Sequence, residues 1–540
     1  MKKLYFLLFL IGTSCTSKQA TNPQVNVNID LNDTIGQNHQ FWKALGYDFL
    51  FKIVNEPEGQ YFLNRAQQKQ SVKYYRAHYT FSNTSMVDER AGGKVGGQVV
   101  RTDKNGKRYY DFSIVNKTFR EYVKRGMKPI VECDFYPDGF ASEGQRKMND
   151  EEFEAMVGAP ADWNAWEDLL NAFMKNLVDE FGKEEIKSWY FEVWNEPDGW
   201  KGPDLKDFFK MYDLFAYTVK KYDADFKVGG PACYHLGFLE QFVEHVVHGK
   251  NYITKKTGSP VDFLSYHIYA LSGYWLKPSP DIYPQVSKFS ADMLWLQRLM
   301  YQYPSLKGVE FHLNEWGLSS HGDSKFVDEY PQLEYRNSEV SALFMVKLVD
   351  CLYTIEDNHG LKTSLLGYWG SWFNAKTGPI FRGSRDLMTR GNVPKPILSA
   401  YELLAQLKDN RVKVKNLKAG NRYGCMATKD DGGVALMAYN FNETDDDFSK
   451  VADFDFALEN GASTLKGKKV KVIRLDRKHN NTYRKWLELG AKPVSDELVT
   501  KLKEVGELKE VEQADLTFDG QNAHVKVSIP RHGMALILIE

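Results

Sequence analysis

Trp189-Tyr190-Phe191-Glu192-Val193-Trp194-Asn195-Glu196-Pro197 is an apolar run that ends in an amide and a carboxylate and is stopped by proline. Proline has no N–H to give to a ladder, so the run reads as a buried strand with Glu196 at its end. A second run, Val309-Glu310-Phe311-His312-Leu313-Asn314-Glu315-Trp316-Gly317, repeats the layout, with Glu315 between Asn314 and Trp316. In a parallel barrel, residues at the carboxyl ends of strands face the active site. Two strands that each deliver Asn-Glu there suit such a mouth.

Outward from these two, further apolar runs lie at 44–49, 74–78, 129–135, 227–231, 263–269 and 365–369. Stretches between them, such as 163–181, 205–222 and 338–355, repeat apolar residues at three- and four-residue spacing, the period of an amphipathic helix. Eight strands with intervening helices predict an α/β fold, a (β/α)8 barrel over 39–408. An insertion at 92–110, rich in glycine and charge, predicts a loop or hairpin near the mouth. From about 411 the pattern becomes short and alternating, at 433–439, 468–475, 524–529 and 534–539. This predicts a C-terminal β-sandwich over 409–540, which the alternating residues 25–29 of the linker 16–38 can join. A doubly wound open sheet would want a glycine-rich phosphate loop after its first strand, and the chain has none.

Composition excludes more than it selects. With 540 residues the chain is too long for one core of ordinary size. Its 70 Lys plus Arg nearly cancel 71 Asp plus Glu, so no global field recruits nucleic acid. The aromatic share of 14% suits the flat C–H faces of sugars, and equally suits a large aromatic core. Lys2 and Lys3 precede an apolar run over 4–11, too short to span a bilayer, which predicts an export signal over 1–15. Gly12-Thr13-Ser14-Cys15 resembles a bacterial lipoprotein cleavage site, with Cys15 the lipidated residue. The expected address is therefore the periplasm or outer membrane of a bacterium, and the lipid is the only expected membrane contact. Cys133, Cys233, Cys351 and Cys425 lack paired spacing and predict buried small hydrophobes rather than a zinc site.

Cleaving a glycosidic bond needs a proton donor for the leaving oxygen and a partner for the oxocarbenium-like centre. Two carboxyl groups roughly 5–5.5 Å apart do this with retention, through a covalent glycosyl-enzyme. Either glutamate alone reads as a surface carboxylate at a strand end; the matched pair points to catalysis. Asn55-Glu56-Pro57 carries the same tripeptide but has no second carboxylate to match, so Glu56 reads as a loop residue. The carboxylates do the proton work unaided, so no metal or organic cofactor is expected.

At these residues the chain resembles glycoside hydrolase family 39, β-xylosidases and α-L-iduronidases whose catalytic glutamates lie on barrel strands four and seven. The likeness extends to Tyr75-Arg76-Ala77-His78, to 126–137 with Glu132, to 227–232, to 262–269 and to Tyr368-Trp369. It implies Glu196 as acid/base and Glu315 as nucleophile, with Arg76 beside Glu315 to hold it ionised. It also implies that Asn195 donates to the sugar 2-hydroxyl and that His78, Glu132 and His267 meet other hydroxyls. Tyr269 would hydrogen-bond the nucleophile, and Trp369 would floor the sugar site. Where familiar β-xylosidases carry His-Gly-Gly after strand eight, this chain has Phe381-Arg382-Gly383-Ser384-Arg385. Asn314 and Gly317 stand where the family often has Thr and Asn. The expected activity is a retaining exo-glycosidase of the β-xylosidase type on an oligosaccharide or polysaccharide-derived substrate. Arg382 and Arg385 keep open an α-L-iduronidase-like or other glycosidase, such as a glucosidase, galactosidase or arabinosidase. A non-catalytic glycan-binding surface lipoprotein is the alternative of another class.

Overall fold

The computed structural model describes residues 22–48, 50–82, 96–143, 145–148, 153–156, 158–199, 202–271, 284–320, 331–370, 379–417, 422–443 and 450–540. Cys15 and the export segment, Phe49 and the first residues of the 92–110 insertion lie outside them.

Eight parallel strands close into a barrel in sequential order. They are β1 (Ala44–Tyr47), β2 (Tyr74–Ala77), β3 (Lys128–Cys133), β4 (Tyr190–Val193), β5 (Lys227–Cys233), β6 (Phe263–Leu271), β7 (Glu310–Ser319) and β8 (Leu365–Trp369). A helix follows each: α1 (Pro57–Gln68), α2 (Ser113–Val123), α3 (Trp163–Phe181), α4 (Leu205–Tyr222), α5 (Leu236–His248), α6 (Ser287–Gln302), α7 (Glu339–His359) and α8 (Pro396–Leu404). Helix starts follow local chemistry: Asp162 caps α3 through the N–H of Asn164, and Ser338 caps α7 through that of Val340. Glu56, the decoy, sits between a single helical turn at Lys52–Asn55 and the leading proline of α1. The insertion forms a hairpin of Val100–Thr102 against Arg108–Tyr110.

Inside the barrel the residues come in layers, as alternation along each strand requires. The lower layer is apolar, with Ala44, Ile130, Tyr190, Phe263 and Leu365. Two residues further along the strands the layer turns polar, with Arg76, Glu132, Glu192 and Ser265. The ladders shift register between Ser265 and His267 on β6 and between Leu313 and Trp316 on β7. Such bulges re-aim side chains at a barrel rim.

The C-terminal part, from Asn410 on, forms with the N-terminal strand a ten-stranded sheet that curls over its own core. Its central members are Asn410–Val414, Tyr423–Asp430, Gly433–Asn440, Val451–Glu459 and Gly533–Ile539. Val27, Ile29, Phe456 and Val525 from one half meet Leu436, Val472 and Ile537 from the other, which makes the sheet a sandwich. The N-terminal strand, Gln24–Gln37, lies within it, antiparallel to Asn410–Val414 and parallel to Val451–Glu459. Besides a single turn at Ala462–Leu465, two helices, Thr482–Glu488 and Asp496–Val505, interrupt the sandwich. The sequence pattern did not disclose them, because the first is only two turns long and their packing face completes a small cluster with Ile380, Phe381 and Val393 of the barrel. Barrel and sandwich are joined by Arg411, which holds Asp357 of α7 with two hydrogen bonds of 2.8 and 2.9 Å. Tyr439 donates to buried Asp350 at 2.8 Å across the same boundary. The four described cysteines are free and buried.

Candidate active site

β4 ends at Val193 because Trp194 and Glu196 take positive φ, +71° and +43°. Side chains other than glycine rarely adopt that region, and the turn is held by the Glu196 N–H donating to the Ala232 carbonyl at 2.9 Å. The result lifts the Glu196 carboxyl into the mouth. Glu315, aimed by the bulge in β7, faces it: a carboxyl oxygen of each and a His267 ring nitrogen all lie within 4.8 Å of one another.

His267 sits between them, with Nδ1 at 2.9 Å from Glu196 Oε1 and 3.4 Å from Glu315 Oε2. Burial brings its pKa down to about 4, against the pull of Glu315, so the ring is neutral at neutral pH. Tyr269 donates to Glu315 Oε1 at 2.8 Å, and Arg385 donates to the Tyr269 oxygen at 3.3 Å. Arg385 also approaches Asp48 at 3.7 Å.

Beneath the pair, fully buried Arg76 is the hub. Its guanidinium reaches Glu192, Glu132 at 3.0 Å, Glu315 at 3.3 Å and the Asn195 amide oxygen at 2.9 Å. Glu192 is further held by the Asn314 amide at 2.9 and 3.0 Å and by the Ser265 hydroxyl at 3.2 Å. Burial pushes the Glu132 carboxyl well above the usual carboxylate range despite Arg76. Glu132 is wholly enclosed and meets His78 Nδ1 at 2.9 Å, so its oxygens are engaged inside the wall. Burial also lowers the pKa of His78, whose ring lies 4.4 Å from that of Trp369. Trp369 lies over Gly46, where a Cβ would stand 2.2 Å from the indole, and the Arg76 guanidinium is 5.5 Å from its ring.

Glu196, Glu315, Arg76, His78, Glu132, Asn195, His267, Tyr269 and Trp369 thus gather at one end of the barrel. Cys15 lies outside the described residues. Sequence reading passed over Glu192, Asn314 as its partner, and Asp198. The signal was present: Glu192 follows Tyr190 by two in a buried run, so it shares the inward face and needs a partner. Asp198, two residues beyond Glu196, accepts the N–H groups of Tyr234 and His235 at 3.0 and 2.7 Å. Burial raises its pKa to about 6, and the neighbouring Glu196 adds to the shift. By distance alone two sets among the described residues could hold a cation, Glu196–His267–Glu315 and His78–Glu132–Asp134. In both, Arg76 already supplies a positive charge to a member carboxylate.

The sequence model of Glycosyl hydrolases family 39 matches residues 25–522. The chain belongs to this family. It is a glycoside hydrolase, and its relatives span both parts of the molecule. The β-xylosidase of Caldicellulosiruptor saccharolyticus is 24% identical over 516 residues, covering 92% of this family 39 chain and 96% of the relative. The β-xylosidase of Geobacillus stearothermophilus is 24% identical over 441 residues, 79% of this chain and 78% of the relative. Among solved structures, a family 39 β-xylosidase from Caulobacter crescentus superposes with a TM-score of 0.72 at 22% identity, over 95% of this chain and 99% of that one. A bacterial orthologue of human α-L-iduronidase gives 0.73 at 16% identity, over 96% and 84%. These likenesses carry the fold: a closed parallel barrel with a C-terminal sandwich.

Proposed function

We propose that this glycosidase is a retaining exo-enzyme of the β-xylosidase type, with Glu196 as acid/base and Glu315 as nucleophile. The observation that carries the reading is the approach of the two carboxyl groups to within 4.8 Å. Inversion needs about 6.5–9.5 Å to admit a water between acid and base, whereas retention works at about 5–5.5 Å. Glu315 attacks the anomeric carbon while Glu196 gives its proton to the departing oxygen, forming a glycosyl ester and breaking the glycosidic bond. Glu196 then takes a proton from water, whose oxygen displaces Glu315 and restores the starting enzyme. Arg76 balances the charge that Glu315 must carry. By accepting from Arg76, the Asn195 oxygen leaves its NH2 for the sugar 2-hydroxyl. Neutral His267 adds no charge between the two acids, and its lowered pKa makes it a weak base toward their proton. The names of the two β-xylosidase relatives described above favour the xyloside.

Hydrolysis of 4-nitrophenyl β-xyloside followed by NMR tests both halves. β-Xylose as the first product is expected; α-xylose would refute retention, and an inert xyloside would refute the sugar. A 2-fluoro-xyloside is expected to label Glu315, read by peptide mass spectrometry.

A second reading rests on Arg385, whose guanidinium stands beside Tyr269 and could meet a sugar carboxylate. Preferential cleavage of a nitrophenyl uronide would select it. We also infer export with Cys15 as a lipid anchor; palmitate labelling that is lost in Cys15→Ser is the expected result.

A further inference from the structure

At the opposite end of the barrel, where the strands begin, the structure holds a second cavity of about 770 Å³. That is within the roughly 300–1,000 Å³ that small-molecule sites occupy. Four lysines line it: Lys43 just before β1, Lys73 just before β2, Lys307 before β7 and Lys362 before β8. None of the four makes an ion pair with a described residue. Lys73, Lys307 and Lys362 are exposed, and an exposed ammonium needs no partner. Lys43 is different. It is half-buried, and burial together with the charge of Lys73 brings its pKa down to about 8. A cation drawn out of water beside a second cation is costly unless an anion arrives.

The acidic group in the lining, Glu310, is already committed. It accepts from Tyr190 and Lys227 at 2.6 Å each and meets His312 at 3.1 Å. Burial alone would raise its pKa, yet these partners pull it to about 2. The wall also carries aromatic faces: Tyr74, under the Lys73 ammonium at 5.2 Å, and Tyr301, 73% exposed at the rim. A bare inorganic anion would use the lysines and leave the rings idle. A neutral sugar would use the rings and leave the half-buried Lys43 ammonium beside Lys73 unanswered.

We propose that this cavity is a second, non-catalytic binding site for an anionic saccharide, a sugar ring bearing a carboxylate or a sulfate. The ammonium groups of Lys43 and Lys73 pair with the anion, and Tyr74 and Tyr301 stack on the ring. The site is independent of which sugar the catalytic mouth cleaves.

Calorimetric titration of the full chain as its Glu315→Gln variant, which turns nothing over, tests this. The probes are a glucuronyl-xylose disaccharide, a sulfated disaccharide, xylobiose and inorganic sulfate. An acidic disaccharide is expected to bind at least about tenfold tighter than xylobiose and than inorganic sulfate. The tighter of the two acidic probes identifies the anion. Lys43→Met with Lys73→Met is expected to remove about tenfold or more of that affinity, and Tyr301→Ala a smaller factor. In the parent enzyme the same substitutions leave nitrophenyl glycoside hydrolysis unchanged. Binding that ignores the lysine substitutions, inorganic sulfate that matches the acidic sugars, or no binding by either acidic probe overturns the proposal.

Discussion

Arg76, fully buried, has one charge to share among Glu132, Glu192 and Glu315. Removing a buried cation strands its partners, so Arg76→Met is expected to lose about 3–5 kcal/mol of stability in denaturant melts, besides activity. An unchanged melting midpoint would mean that the carboxyl groups neutralise one another by sharing protons. Glu196→Gln should cost about 10²–10⁴-fold in kcat, the span of a general acid, and more for a poor leaving group than for nitrophenolate. Gly46 offers a finer test. A methyl there collides with the Trp369 indole, so Gly46→Ala is expected to raise KM at least severalfold with kcat less affected. Much at this scale was legible in the sequence, because Glu196 and Glu315 each stand at a strand end beside an amide. Glu192 was not singled out: period-two alternation marks it as inward, but which charge answers it depends on closure of the barrel. Glu132, expected to meet a sugar hydroxyl, is wholly buried and held by Arg76 and His78.

Among the elements, the eight strands were readable because buried parallel strands are short apolar runs with turn residues between them. Their ends were less so. β4 is shorter than its apolar run, since the positive φ of Trp194 withdraws two residues from the ladder. β5, β6 and β7 run past the expected ends, to Cys233, Leu271 and Ser319. The two helices inside the sandwich escaped notice for a related reason: their partner is the segment after β8, distant in the chain. Trp486 packs tilted against Phe381 at 5.5 Å, and Tyr483 is 5.4 Å from the same ring. That segment continues to Arg385 beside Tyr269, so the sandwich braces a wall of the catalytic mouth. Trp486→Ala should therefore cost about 3–5 kcal/mol as a core truncation and also weaken substrate binding. A stability loss with KM unchanged would detach the brace from the site.

Over the whole molecule, the boundary between barrel and sandwich contains a buried acid that responds to pH. Burial holds the pKa of Asp350 up to about 7, partly offset by Tyr439 and Lys347, against 3.8 for a free side chain. The folded state binds that proton more tightly, so the contribution is fully present below about pH 4 and is lost as pH rises through about 7. Asp350→Asn should flatten this slope, with a difference from wild type of up to about 4 kcal/mol between pH 4 and 8 in thermal or urea melts. Parallel curves would sink the assignment. The course of the chain has a consequence for its biogenesis. Gln24–Gln37 is laid between strands whose first residue comes about 370 positions later. Made before the barrel, this segment has both edges open until the strands beyond the barrel have been delivered, a long wait for a sequence suited to pairing. The barrel can close during that wait, whereas the sandwich is sealed only when strands from before and after the barrel meet. Completion of the sandwich thus doubles as a check that the barrel between its strands has been made.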